Sequence, residues 1–223
     1  MAVFDKEANS YDEWYKTKMG SYVDEVETRC VFDLFKVKEG MKILDIGCGT
    51  GNFSIKLAKM GCEVVAIDIS NEMLKVAKSK AKKENLDIEF HNMNVYDLKF
   101  EDEYFDGVLS ITAFEFVNNP KRAMIEIFRV LKPSGKLIIG VINKDSKWGE
   151  MYLSKKFQDD SVFKYADLKK AGDLKGLKEN NLVDTRECLF IPPYTDEKNI
   201  SLDKELELSK EERGGFICAL WEK

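Results

Sequence analysis

The chain of 223 residues has one histidine, His91, and that scarcity excludes a His-rich metal site. Its five cysteines, Cys30, Cys48, Cys62, Cys188 and Cys218, form no C-x-x-C pair and would leave one over if paired. Reduced thiols are therefore expected, with no metal ligand set of zinc spacing among them. The C-x-x-x-C-x-x-C arrangement of a cluster-binding segment is missing too, so no iron–sulfur cluster is implied. No apolar run approaches the roughly 20 residues of a membrane span, and the start Met1-Ala-Val-Phe-Asp-Lys-Glu7 lacks the apolar centre of a signal peptide. A soluble, cytoplasmic protein is the expectation. Basic charge is not in excess: 35 Lys and Arg stand against 40 Asp and Glu, a formal charge of −5. That balance argues against a broad footprint for nucleic acid or an anionic membrane, and favours a small molecule as partner. Lys75, Lys78, Lys80, Lys82 and Lys83, interleaved with Ala, read as the solvated face of a helix. The length suits one domain able to bury a substantial core.

Against these absences stands Leu44-Asp-Ile-Gly-Cys-Gly-Thr-Gly51, an apolar run ending in Asp and three alternating glycines. It describes a strand turning sharply into a helix around a ligand, since glycine allows positive φ and close approach of main chain. A dinucleotide fingerprint G-x-G-x-x-G needs its third glycine at position 52, where the chain has Asn52. A Walker-type loop would continue into Gly-Lys-Ser/Thr, but Asn52 and Phe53 follow. Asp45, just before the turn, would repel a pyrophosphate and welcome a ligand that is partly cationic.

Five segments in order carry a resemblance to the class I S-adenosylmethionine-dependent methyltransferases, of the small type related to the ubiquinone and menaquinone biosynthesis enzymes. The first is the loop itself, matched at Asp45, Gly47, Gly49 and Gly51, which in that family wraps the methionine part of the cofactor. Val64-Val-Ala-Ile-Asp68 supplies the acid that ends the next strand, and a carboxylate can accept from both ribose hydroxyls at once. Asn92-Met-Asn-Val-Tyr-Asp-Leu98 stands where the family reads adenine, with Asn94 accepting from the exocyclic amine and the Val95 amide donating to the ring. Asn94 replaces the more usual Asp. Phe105-Asp-Gly-Val-Leu-Ser-Ile-Thr-Ala-Phe114 resembles the fourth strand beside the transferable methyl group, and brings Ser110 into the implied cofactor set with Ile69 and Met73. Val130-Leu-Lys-Pro-Ser-Gly-Lys-Leu-Ile-Ile139 matches a helix end, turn and fifth strand, with Ser134 where Gly is usual. The resemblance covers about residues 42 to 142. It implies S-adenosylmethionine as cofactor, S-adenosylhomocysteine as product, and an α/β Rossmann-like fold whose seven-stranded mixed sheet has the order 3-2-1-4-5-7-6, strand 7 antiparallel.

Strands are expected near 42 to 46, 63 to 68, 88 to 92, 106 to 111 and 136 to 142, and helices over 52 to 60, 71 to 84 and 120 to 131. Beyond Asn143, helices are expected over 146 to 157 and 165 to 179, then strands over 182 to 190 and 215 to 221. The single domain divides into an N-terminal helical cap over 1 to 35, a cofactor-binding core over 36 to 142, and acceptor-side helices with a terminal hairpin over 143 to 223. Aromatics cluster in the flanks, and residues 1 to 35, 143 to 170 and 191 to 213 are expected to wall an acceptor pocket. Ser70 reads as a helix cap and no more. Pro192-Pro193-Tyr194 resembles the Asn-Pro-Pro-Tyr element of amino-directed methyltransferases, but it follows Ile191 and the sixth strand, so it reads as a turn.

Methyl transfer from a sulfonium needs alignment and exclusion of water more than acid–base equipment. Glu115, just past the fourth strand, is the best-placed carboxylate if a proton must be removed. Tyr11 and Tyr15 are candidates for closing on the cofactor. A small-molecule acceptor is expected, with RNA or protein, and a non-catalytic cofactor-binding module, as alternatives. The chain is expected to be a monomer or homodimer, without nucleic acid, membrane or metal.

Overall fold

Short apolar runs between Lys42 and Ile142 alternate with helical segments, and each becomes a strand of one sheet. The computed structural model describes residues 2–223, with the backbone alone at Asp160. The strands are β1 (Lys42–Ile46), β2 (Glu63–Asp68), β3 (Ile88–Asn92), β4 (Phe105–Ile111), β5 (Leu131–Ile142), β6 (Leu182–Cys188) and β7 (Phe216–Glu222). Their order is β3-β2-β1-β4-β5-β7-β6. The first five are parallel, while β7 runs antiparallel to both β5 and β6, as the resemblance implies.

Alternation along the strands builds two cores. Ile43, Val64, Leu109 and Ile138 face one apolar cluster, and their neighbours Leu44, Val65, Val108 and Leu137 face the other. This is the pattern of a sheet covered on both sides. Helices α2 (Asn52–Lys59), α3 (Asn71–Lys83) and α4 (Pro120–Val130) connect the parallel strands. Before them, a 3-10 turn (Tyr11–Lys16) leads into α1 (Lys18–Phe35), whose Thr17 cap accepts from the Gly20 N–H at 3.0 Å. The buried stripe of α1, including Val23, Val26, Cys30, Val31 and Leu34, joins the first core.

The second half departs from the periodicity in several places. The span 146 to 157 is not one helix: α5 (Lys147–Leu153) ends at Ser154, which caps α6 (Lys155–Asp160). The helix expected over 165 to 179 is reduced to α7 (Ala171–Lys175). Tertiary partners claim the backbone before it, as Asp167 N–H donates to Glu115 O at 2.8 Å and Lys144 N–H to Lys169 O at 2.9 Å. Gly172 and Gly176 weaken what remains. Residues 191 to 213 hold a further helix, α8 (Leu202–Leu208). Strand β5 starts at Leu131, five residues early, with a register shift against β4. The turn expected between the helix end and the fifth strand, at Lys132–Gly135, is a kink inside it. Ser134 there has φ 61°, the left-handed conformation that explains why Gly would be usual at that position. Strand β6 ends at Cys188 because Leu189 turns to φ 65°.

Candidate active site

The carboxyl ends of β1, β2 and β4 open into a cleft of about 250 Å³, at the point where strand order reverses. The glycine loop forms its floor. Gly47 has φ 71°, and a side chain there would bring a Cβ to 2.4 Å from the Cβ of Ala113, in the segment after β4. Gly49 has φ 53°, yet a Cβ added to it would meet nothing within 4 Å. The turn therefore leaves room for a ligand directly over its main chain.

Asp68, at the end of β2, accepts from Gly49 N–H at 2.9 Å through one carboxylate oxygen and from Ser70 N–H at 2.8 Å through the other. Each oxygen keeps a lone pair for a further donor, so a pair of vicinal hydroxyls fits. Burial raises its pKa, and these main-chain donors oppose the rise. Asp45 is 2% exposed and accepts from the Ser54 hydroxyl of α2. Burial pushes its pKa up to about 7, with Ser54 opposing and the charge of Asp68 reinforcing the shift. A cation in the cleft would draw it to the ionised form.

Of the residues assigned to the cofactor from the sequence, Tyr11, Tyr15, Asp45, Gly47, Gly49, Asp68, Ile69, Met73, Asn94, Val95 and Ser110 line this cleft. Gly51 of the loop does not, and instead packs against α3, where a Cβ on it would meet Ala77 at 3.1 Å. Their individual settings differ. Ile69 is a 59% exposed rim residue, while Met73 is buried on α3. Asn94 Oδ1 accepts from Tyr96 N–H at 3.0 Å, which fixes the loop, and the Val95 N–H has no acceptor among the described residues. That unpaired donor is what an adenine edge requires. Ser110 is fully buried and its hydroxyl donates to Ile46 O at 2.9 Å, locking β4 to the end of β1.

Glu115 does not line the cleft. It is 1% exposed, one oxygen accepts from Ile142 N–H at 2.8 Å, and the other is buried without a partner. Burial raises its pKa to about 7, opposed by the Ile142 N–H and by the charge of Lys169. Its place just after β4 suggests the cleft, but the 3-10 turn Phe114–Phe116 points it back at β5.

The N-terminal segment does form a wall, through Phe4, Tyr11 and Tyr15, and α1 adds Asp24 and Glu27. Phe4 packs edge-on against Phe116 at 4.9 Å. Residues 143 to 170 and 191 to 213, expected as walls, stay outside the cleft. The first buttresses Phe116 from behind through Phe163, at 5.6 Å. The second covers α1, where Glu205 accepts from the Tyr22 hydroxyl and from Phe190 and Ile191 N–H. Pro192-Pro193-Tyr194 is a turn after β6, with Tyr194 81% exposed and outside the cleft lining.

Two lysine and serine readings need correction. Lys80 is not simply solvated: its ammonium meets Asp12 at 2.6 Å and Asn52 Oδ1 at 2.5 Å. Asp12 also accepts from the Thr50 hydroxyl at 2.7 Å. Burial alone would raise the Asp12 pKa, but the Lys80 and Thr50 hydrogen bonds outweigh it and hold the carboxyl below its usual range. Ser70 caps α3 through Met73 N–H and also donates to Asp5 at 2.6 Å. Both contacts tie the N-terminal segment to the cofactor loops.

Glu27 is the functional candidate that motif reading missed. A signal was present, because it occupies the apolar stripe of α1, four residues after Val23 and four before Val31. Thr112, at φ 49°, is another: a β-branched residue in the left-handed region, lining the cleft just after β4.

Known proteins agree with this geometry. Residues 44–139 match the family model described as a methyltransferase domain. An uncharacterised protein of Methanocaldococcus jannaschii is 38% identical over 180 residues, covering 80% of each chain. The demethylmenaquinone methyltransferase of Renibacterium salmoninarum is 40% identical over 111 residues, 50% of this chain and 45% of that enzyme, so the match spans under half of that relative. Among solved structures, a Thermotoga maritima protein described as a SAM-dependent methyltransferase, "possible histamine N-methyltransferase", superposes with TM-score 0.73 at 25% identity, covering 99% of this chain and 98% of that one. With its strand order, its glycine loop, its Asp68 and these likenesses, the chain belongs to the class I S-adenosylmethionine-dependent methyltransferases.

Proposed function

We propose that this enzyme transfers the methyl group of S-adenosylmethionine to a small-molecule acceptor by in-line displacement, leaving S-adenosylhomocysteine. The observation that carries the choice of acceptor is the charge of the cleft. Asp24, Glu27, Asp45 and Asp68 line it, and no Lys or Arg among the described residues does. A sulfonium would draw the burial-raised Glu27, Asp45 and Asp68 to their ionised forms, and the phosphates of an RNA would find no basic side chain there. The named relatives point the same way, one acting on demethylmenaquinone and the other described as a possible histamine methyltransferase.

In this reading Asp68 receives the ribose hydroxyls, Asn94 and the Val95 amide flank the adenine, and Gly47 and Gly49 admit the methionine moiety. Ile69 and Met73 supply apolar contact, and Tyr11 and Tyr15 close the opposite wall. The cofactor, when bound, brings a methyl group already activated by positive sulfur. The chain's own work is to exclude water and hold the acceptor in line.

Calorimetric titration with S-adenosylhomocysteine tests the cofactor half. Asp68→Ala should weaken binding by about 10- to 100-fold, the loss expected for hydrogen bonds to a charged group. Unchanged affinity in the variant, or no binding by the parent, would refute the site. A labelled-methyl screen of small acceptors beside bulk tRNA tests the other half, and methylation of tRNA alone would reverse the acceptor assignment.

A further inference from the structure

We infer that the acceptor is an amine, received by the Glu27 carboxylate where α1 faces the segment that follows β4. This rests on the methyl-transfer reading above. Glu27 is 8% exposed, sits in an apolar helix stripe and faces the cleft. Among the described residues, none donates a hydrogen bond or forms an ion pair with it. Asp24, one turn earlier on the same wall, is already paired with Lys56, which also donates to Thr28 at 2.8 Å. Burial disfavours the charged form of Glu27, and the charge of Lys56 only partly opposes this. A ligand that brings both an N–H donor and positive charge would draw the group to its carboxylate form.

Its surroundings place it at the acceptor end. Glu27 shares the cleft lining with Tyr11 and Tyr15 and, after β4, with Thr112 and Ala113, while Asp68 marks the ribose end. The rings of Tyr11, Tyr15 and Phe53 line the same cleft, and aromatic faces favour a cationic nitrogen. An acceptor reacting as a phenolate or thiolate would meet like charge from Glu27 and find no basic side chain in the lining. Burial, with Asp24 and Glu115 adding and Lys56 opposing, raises the proton affinity of Glu27, which suits it to take a proton.

The chemistry balances without further reagents. An ammonium acceptor gives one proton to the Glu27 carboxylate and becomes a neutral amine. Its nitrogen lone pair forms the N–C bond as the C–S bond breaks, and the bonding pair stays on sulfur as a neutral thioether. The product leaves as the methylammonium, and Glu27 returns its proton to water.

The test uses the full chain saturated with S-adenosylhomocysteine, titrated with butylamine, 1,4-diaminobutane and phenethylamine, each beside the alcohol of the same skeleton. Transfer of labelled methyl to each amine is followed in parallel with S-adenosylmethionine. At least one amine should bind about tenfold or more tighter than its alcohol and be N-methylated, in line with the value of a charged hydrogen bond. Glu27→Gln should abolish that preference while S-adenosylhomocysteine affinity stays within about twofold. Glu27→Asp, which keeps the charge, should retain the preference. No amine bound, a preference unchanged in Glu27→Gln, or alcohols methylated in place of amines would overturn the inference. So would a tenfold loss of cofactor affinity in Glu27→Gln, since the carboxylate would then serve the ammonium of the cofactor. Failure of the parent itself to bind S-adenosylhomocysteine would instead strike the underlying reading, which separates the two.

Discussion

Asp45 and Glu115 both carry carboxyls raised by burial to about 7, against roughly 4 in an unfolded chain. Between those values the folded protein holds protons that the unfolded chain has already released. Folding stability should therefore fall as pH rises from about 4 to about 7, the reverse of the usual salt-bridged carboxylate. Urea unfolding of the ligand-free protein at intervals across that window checks the sign. Asp45→Asn combined with Glu115→Gln should reduce the slope, leaving the part owed to Glu27 and Asp68, whose carboxyls burial also raises. A rising slope in the parent, unchanged by the double substitution, would show that neither carboxyl is protonated in the fold. Binding of a cation beside Asp45 should also release a fraction of a proton near pH 7, visible as a dependence of the binding enthalpy on the buffer's ionisation enthalpy. At this scale the sequence was informative where a residue's role is local. Asp45, Gly47 and Gly49 belong to one strand–turn unit and Asp68 to the end of the next strand, so their place at the cleft was legible. Glu115 was not, because its direction depends on the Ile142 N–H across the sheet.

At the scale of elements, legibility follows the origin of the backbone hydrogen bonds. The strands β1 to β4 and the helices α2 to α4 satisfy themselves or their immediate neighbours, and their apolar periodicity located them within a residue or two. Residues 166 to 170 spend theirs on Glu115 O and Lys144 N–H, so no local pattern could have announced an extended chain there. Lys80 is a similar case, its partner Asp12 lying 68 positions away. The contact joins α3 to the 3-10 turn at Tyr11–Lys16, and its two side chains are 25% and 29% exposed. Lys80→Met should cost about 1 kcal/mol of local stability, at the upper end for a partly shielded pair. That amounts to about a fivefold weaker affinity for S-adenosylhomocysteine, if the turn must be seated to wall the cleft. Hydrogen exchange should show faster amide exchange over residues 4 to 16 with the sheet unchanged. Equal protection of that segment in parent and variant would mean that the aromatic contacts alone seat it.

Across the whole molecule, one sheet supplies rigidity on two faces and the cleft sits where its strand order turns back. The five ordered motifs covered about the stretch that forms β1 to β5, which is why the topology could be anticipated from them. The flanks were harder because nothing in a flank's composition tells which of its aromatics faces a ligand. Phe4, Tyr11 and Tyr15 reach the cleft, while Trp148, Tyr152 and Phe163 pack behind it. The N-terminal wall is held down at Asp5 and Asp12 by Ser70 and Thr50, of the loops after β2 and β1, and by Lys80 of α3. The same contacts then set a clock. A cofactor seated beneath them leaves only as fast as the segment lifts, so its residence time should be governed by an ionic latch. Raising salt from about 0.05 M to about 0.5 M shortens the Debye length several-fold and should speed dissociation of S-adenosylhomocysteine in stopped-flow displacement. In Lys80→Met the rate should already be fast and indifferent to salt. Turnover would then be limited by the door more than by the methyl transfer behind it.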